Sequence, residues 1–418
     1  MLGNGLRVLL APDKSAPVVG VAVHYDVGMR SEPEGRTGFA HLFEHLMFQG
    51  SASLEKLAHF RYVQSSGGTF NGTTHLDYTN YFEVLPANAL ERGLFLEADR
   101  MRAPTITEEN LANQISVVKE EIRVNVRNRP YGGFPWLVMP TVLFDTFPNA
   151  HDGYGSFEDL EAATLDDAWQ FFDRYYAPAN AVLCVAGDLD PELAFSLVER
   201  HFADIQRRQA PTRPDFAEPD LTAERRTTVT DRLAPMPSVA VGWRVPDPVH
   251  DLAEYLPFVV LAEVLSDGDA ARLRQRLVRR DRVATDVYAY LSFLGDPFDV
   301  RGPTEFLVQA THAGSVGMET VLSTVDDELA RLADGGLRPG ELSRVQARIA
   351  AQMLREVDGV LGRTLALASL EQVHDRAELL SELPGLIGAV SAEQVAAAAA
   401  TLTPRRRAVV ELVAGGAR

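Results

Sequence analysis

Cysteine is nearly absent: Cys184 is the single one in 418 residues. That excludes an intramolecular disulfide framework and any all-cysteine zinc site. Cationic residues are also short. The 40 Lys and Arg face 58 Asp and Glu, a formal charge of −18 with an isoelectric point near 5.0. A nucleic-acid binder is therefore not expected, because phosphate contacts would lack their cations. Cationic peptides suit such a field better. No apolar run reaches the roughly 18 residues of a membrane span. The opening MLGNGLRVLLAPDKSAP has no basic segment ahead of a long apolar core. Neither a span nor a signal peptide is expected, and the expected location is the cytoplasm. What the chain does have is apolar residues, 46% of the total, enough for large cores and too many for a disordered chain. Its length exceeds one ordinary domain.

Patterning along the chain predicts strands over 6–11, 18–27 and 181–186 and an alternating run over 69–83. It predicts helices over 38–50, 89–101, 108–128, 165–176 and 191–202. Between 206 and 228, Pro211, Pro214 and Pro219 sit among charges without an apolar period, which reads as a linker. The order of elements then repeats. Strands are expected over 239–245, 288–293, 305–311 and 407–413, and helices over 252–265, 271–279, 317–332, 339–356 and 392–402. The expected fold is α+β, in two related domains over 1–205 and 229–418 joined by the linker 206–228.

The segment His41-Leu42-Phe43-Glu44-His45 carries the strongest chemical signal. On a helix turning about 100° per residue, His41, Glu44 and His45 share one arc of about 100°. Leu42, Phe43, Leu46 and Met47 fill the rest, which marks the helix as buried. Two imidazoles and a carboxylate are costly there unless something compensates them. A divalent metal does so: histidines four apart reach one ion, and the glutamate stands beside its water. The order inverts the H-E-x-x-H pattern. Core histidines with an incidental glutamate are the alternative. A third ligand is sought on the helix 108–128, whose core stripe is Ile115, Val118, Ile122 and Val126. Glu121 lies about 105° from the stripe centre and Glu120 about 155°. Glu121 is thus the carboxylate nearer the interior, with an ordinary solvated face as the alternative.

These residues, with Glu121 following His45 by 76 positions, resemble the pitrilysin-type inverzincin zinc metallopeptidases, and within them the mitochondrial-processing-peptidase-like branch. Segments 2–27, 38–50, 67–81, 113–132, 175–191 and 262–287 resemble family blocks in family order. The resemblance implies two homologous α+β domains, each an antiparallel sheet packed against helices. It implies one Zn2+ per chain held by His41, His45 and Glu121, with Glu44 as the general base that takes a proton from the zinc-activated water. It implies a zinc-dependent endopeptidase that cleaves unfolded peptides, presequences or leader peptides. Substrate would add as a strand beside Phe70, Asn71 and Gly72; a hairpin turn at Asn71-Gly72 is the alternative.

One stretch departs from the family pattern. Such peptidases use an arginine and a tyrosine from the C-terminal-type domain, in a stretch reading like L-x-R-E-K-G-L-A-Y-S-V. Here residues 277–287 keep Arg279, with Arg280 and Arg282 as rivals, but Thr285 stands at the tyrosine position. Tyr288 and Tyr290 fall on the opposite strand face from Thr285. The expectation is an inactive C-terminal domain and a heterodimer in which a homologous subunit supplies the Arg-Tyr pair. A self-sufficient homodimer is the alternative; a non-catalytic scaffold or a peptide-holding subunit ranks below both. Cys184, His24 and Tyr25 are expected to pack in the core, and His75 and Asp77 to lie in a solvated loop, with substrate contact as the alternative for that pair.

Overall fold

The computed structural model describes residues 1–293 and 297–415. The chain divides into two compact units, one of residues 1–120, 153–214 and 354–380, the other of 121–152, 215–353 and the described part of 381–418.

The first unit holds a five-stranded sheet of β1 (Arg7–Pro12), β2 (Val18–Tyr25), β3 (Thr69–Thr74), β4 (Thr79–Pro86) and β5 (Ala181–Gly187), in the order β1-β5-β2-β4-β3. β1 runs parallel to β5, and the other neighbours are antiparallel. Strands covered on both faces read as continuous apolar runs, and β5, AVLCVAG, is buried at every residue. Four helices of the N-terminal region follow: α1 (Phe39–Leu46), α2 (Ala58–Ser65), α3 (Leu90–Arg102) and α4 (Glu108–Ile122). α3 packs on β2 and β4, and the helix Val360–His374 packs on β2 and β5.

The second unit repeats the path. β6 (Arg225–Asp231), β7 (Ser238–Val245), β8 (Asp286–Leu291), β9 (Thr304–Thr311) and β10 (Ala408–Ala414) lie in the order β6-β10-β7-β9-β8. Again one edge pair, β6 with β10, is parallel and the rest antiparallel. The two units are therefore α+β, each a largely antiparallel sheet packed against helices, and the repeat visible in the sequence is one of topology.

Several details differ from the sequence expectations. The compact units are not the contiguous stretches 1–205 and 229–418, because 121–152 falls in the second unit and 354–380 in the first. The helix Val360–His374 buries Ala368, Leu370 and Val373, and Val182 and Cys184 of β5 pack with Ala368; this apolar match ties the distant segment to the first sheet. The alternating run over 69–83 is two strands, β3 and β4, closed by a hydrogen bond from the His75 N–H to the Tyr78 carbonyl at 2.8 Å. The helix 108–128 ends at Ile122 and passes into a π-helical turn, Arg123–Arg127; a second such turn, Arg274–Arg280, occupies most of the segment 271–279. Among the described residues no single helix is long and apolar enough to cross a membrane, and one bent pair, Leu379–Gly388 with Ala392–Thr401, passes that test by length and composition.

Candidate metal centre

α1 starts at Gly38, whose φ of 84° suits a residue without a side chain. Phe39, Leu42, Phe43 and Leu46 are buried. Phe43 packs on Phe171 and Tyr176 at ring separations of 4.7 and 5.4 Å. With that face fixed, His41, Glu44 and His45 emerge on the remaining arc. The rings of His41 and His45 lie 5.0 Å apart at 86°.

α4 brings the third group. Residues 108–120 of this helix belong to the first unit, and Glu121 follows in the same helix. Lys119 fixes the helix's rotation by pairing with Glu161 and lying 5.1 Å over the Phe157 ring. Val118 and Ile122 are buried, Glu121 is half-buried and Glu120 is exposed. His41, His45 and Glu121 each offer a ligand atom, and these atoms all lie within 4.8 Å of one another. Two imidazole nitrogens and one carboxylate oxygen at that spacing fit a catalytic zinc, which takes three protein ligands and keeps one position open.

Glu44 stands on the same helix face. The Thr74 hydroxyl donates to Glu44 Oε2 at 2.7 Å. Gly72 allows β3 to pass close to it: a Cβ there would lie 3.1 Å from Glu44 Cγ and 3.2 Å from the Phe48 and Tyr81 rings. Asn71 and Gly72 pair with Phe82 and Tyr81 in mid-strand, so the hairpin-turn alternative is not what forms. β3 is an outer strand, with no strand on its far side among the described residues. Asn71 is exposed there. Phe70 stacks on Phe60 at 4.6 Å and lies 5.8 Å from Phe48. Phe60 was not singled out by sequence reasoning, since α2 itself carries too short an apolar pattern to be recognised.

Arg279 lies in the second unit on the turn Arg274–Arg280, with its side chain 61% exposed and 3.6 Å from Asp269. Thr285 is exposed ahead of β8 and its hydroxyl donates to the Thr311 carbonyl at 3.0 Å. On β8, Val287, Ala289 and Leu291 are buried, Tyr288 is exposed and Tyr290 is half-buried.

His75 and Asp77 correct the expectation of a solvated loop. Asp77 is buried and accepts from Arg30 Nε and Nη2 at 2.9 and 2.5 Å. His75 stacks on Tyr78 at 4.3 Å. His24 and Tyr25 pack inside as expected, and burial pushes the His24 imidazole down to about 3. Burial pushes the Cys184 thiol up to about 12.

A second group, His59, Glu83 and Glu97, also brings donor atoms within 4.8 Å of one another. Arg100 pairs with Glu97 of this group and lies 4.3 Å over the Tyr81 ring. Burial, and then the charge of Glu97, hold the Glu83 carboxyl well above its usual range. Burial acts on Glu97 in the same direction, but Arg100 outweighs it and holds Glu97 below the usual range. The Arg100 guanidinium thus neutralises Glu97, while burial favours the neutral form of Glu83.

Comparison with known proteins follows the same lines. Residues 7–132 match the family described as Insulinase (Peptidase family M16), and residues 162–349 match the Peptidase M16 inactive domain. Zinc protease PqqE of Helicobacter pylori is 28% identical over 361 residues, 85% of this chain and 79% of that protein. Uncharacterized zinc protease YmxG of Bacillus subtilis is 24% identical over 400 residues, 94% of this chain and 92% of that protein. Among solved structures, a protease from Helicobacter pylori superposes with a TM-score of 0.90 at 25% identity, covering 99% of this chain and 98% of that one.

Proposed function

This chain belongs to peptidase family M16, and on that premise we propose that it is a zinc-dependent endopeptidase acting on unfolded peptides. The observation that carries the proposal is the meeting of His41, His45 and Glu121 within 4.8 Å, with Glu44 on the same helix face as the two histidines. A zinc ion held by those three residues would supply Lewis acidity to a peptide carbonyl and to the attacking water. Glu44 is the group that would accept a proton at a carboxylate oxygen and return it to the leaving amine. The Thr74 hydroxyl, on Oε2, fixes which way the carboxylate faces. The outer edge of β3 offers backbone groups to an extended chain, which favours substrates that are already unfolded and tolerates varied sequence. Phe70, Asn71 and Gly72 are the proposed contacts.

Thr285, in place of the family's tyrosine, favours a heterodimer in which a homologous subunit contributes an arginine and a tyrosine. The alternative is a homodimer in which Arg279 or a neighbour serves. Cleavage of a quenched fluorescent peptide library by the zinc-loaded chain alone separates the two. Turnover without a partner refutes the heterodimer. The peptidase reading itself is tested by Glu44→Gln in whichever assembly is active. It should abolish cleavage while zinc stays bound, and unchanged turnover excludes Glu44 as the base.

A further inference from the structure

We propose that Glu32 is a positioning residue of the metal centre. Its carboxylate anchors the first turn of α1 and so fixes where His41 and His45 point. The inference rests on the reading above, in which those histidines hold zinc.

The first N–H groups of a helix lack partners inside it. Gly38, at the N-cap of α1, has no side chain to satisfy them. Glu32 reaches over from six residues upstream and does so with both oxygens: Oε2 accepts from the Gly38 N–H at 2.8 Å and Oε1 from the Ala40 N–H at 2.7 Å. Glu32 is only 3% exposed, so its charge meets the positive end of the helix out of bulk water, where charge-assisted bonds are strong. His41 follows Ala40 directly. The turn that Glu32 grips is therefore the turn from which the first imidazole leaves.

Glu32 is itself held in place. Arg30, two residues before it, forms a two-pronged ion pair with Asp77, and both side chains are at most 4% exposed. The Met29 and Arg30 N–H groups donate to the His75 and Leu76 carbonyls, each at 3.0 Å. The Tyr175 hydroxyl donates to the Ser31 carbonyl at 2.8 Å. The β3–β4 connection bound in this way follows directly on Thr74, the donor to Glu44. One block thus grips α1 at two points, its first turn through Glu32 and its base through Thr74. Breaking the first grip leaves the histidines in the chain but loosens the helix that aims them.

The test is zinc affinity, measured by competition with a chromophoric chelator on the full chain, together with the visible spectrum of the cobalt-loaded protein. Glu32→Gln should weaken zinc binding by about 10–100-fold, the loss typical when an outer partner of a metal ligand is removed, and should change the cobalt spectrum. Glu34→Gln makes the same charge change at an exposed neighbour and should leave both as in wild type. Glu32→Asp keeps the charge on a side chain shorter by one C–C bond, about 1.5 Å, and should recover part of the affinity. A merely structural role would lower the melting temperature of Glu32→Gln while leaving affinity and cobalt spectrum unchanged, and that result overturns the proposal. Should Glu32→Gln fail to fold, Glu32→Asp decides, because wild-type affinity in that variant is equally fatal. Failure of the underlying reading looks different: wild type would bind no zinc, or His41→Ala would bind it as well as wild type.

Discussion

Glu120 and Glu121 are neighbours on α4 with opposite fates, and that contrast tests the metal centre. Replacing either by Gln removes one negative charge from the same helix turn and leaves the shape nearly unchanged. Only Glu121 brings an oxygen within 4.8 Å of donor atoms on both His41 and His45, whereas Glu120 is exposed. A carboxylate oxygen that ligates zinc directly would sit about 2 Å from the ion, so even at an effective dielectric constant of about 20 the lost attraction is at least several kcal/mol. Part is returned because a Gln side chain is easier to desolvate than a carboxylate. What is left should exceed the 10–100-fold loss that follows removal of an outer partner. We therefore expect Glu121→Gln to weaken zinc binding by more than about 100-fold and Glu120→Gln by less than about twofold, the scale of a screened surface charge. Chelator competition on matched, folded samples reads both values. Equal losses in the two variants would show that α4 contributes only a general negative field, and the assignment of Glu121 would fall.

Three further outcomes follow from the same geometry. Thr74→Val removes the hydroxyl that donates to Glu44 Oε2. Such bonds to charged groups are worth about 1.5–3 kcal/mol, so kcat should fall about 10–100-fold with KM near wild type, Thr74→Ser should restore it, and a matched loss in KM would point to substrate binding instead. Burial, and then the charge of Glu97, raise the Glu83 carboxyl, so its contribution to stability is whole below the usual carboxylate range near 4.5 and fades as pH rises toward its raised value. Glu83→Gln does not titrate, so its melting temperature relative to wild type should climb as pH rises above about 5; a flat difference would refute the raised carboxyl. Cys184 is buried with its thiol pushed up to about 12, so thiol reagents should label it only as fast as the chain unfolds, and rapid labelling of the folded protein would contradict the packing.

Much of the fold is visible in the sequence where one face of an element is apolar and the other is not. The helix Pro191–Phe202 lies where its pattern places it, opened by Asp190, whose carboxylate caps the Leu193 N–H at 2.9 Å. The helix Val360–His374 escapes detection for the opposite reason. It buries Thr364, Ser369, Gln372 and His374 alongside Leu370 and Val373, so polar and apolar residues mix around it and no period stands out. β6, RRTTVTD, alternates between exposed and half-buried positions at an outer edge. Its threonines and arginines look like the proline-rich charged segment before it, so its first residues, 225–228, fall inside the expected linker 206–228.

The candidate site divides along the same line between local and distant information. His41, Glu44 and His45 are four residues apart at most, so helical geometry alone sets them on one arc. Glu121 could be ranked above Glu120 from the phase of α4, but no local pattern says that α4 runs beside α1; that came from the resemblance to a family. Glu32 had no signal at all. In the sequence it is an acid in Ser-Glu-Pro-Glu-Gly, which reads as a solvated turn. Its burial depends on Arg30 finding Asp77 at a separation of 47 residues. An acid beside proline and glycine becomes a helix anchor only when a distant pair closes over it. His41, Glu44 and His45 can therefore be found from spacing, Glu121 joins them only through the family resemblance or the fold, and Glu32 is found only from the fold.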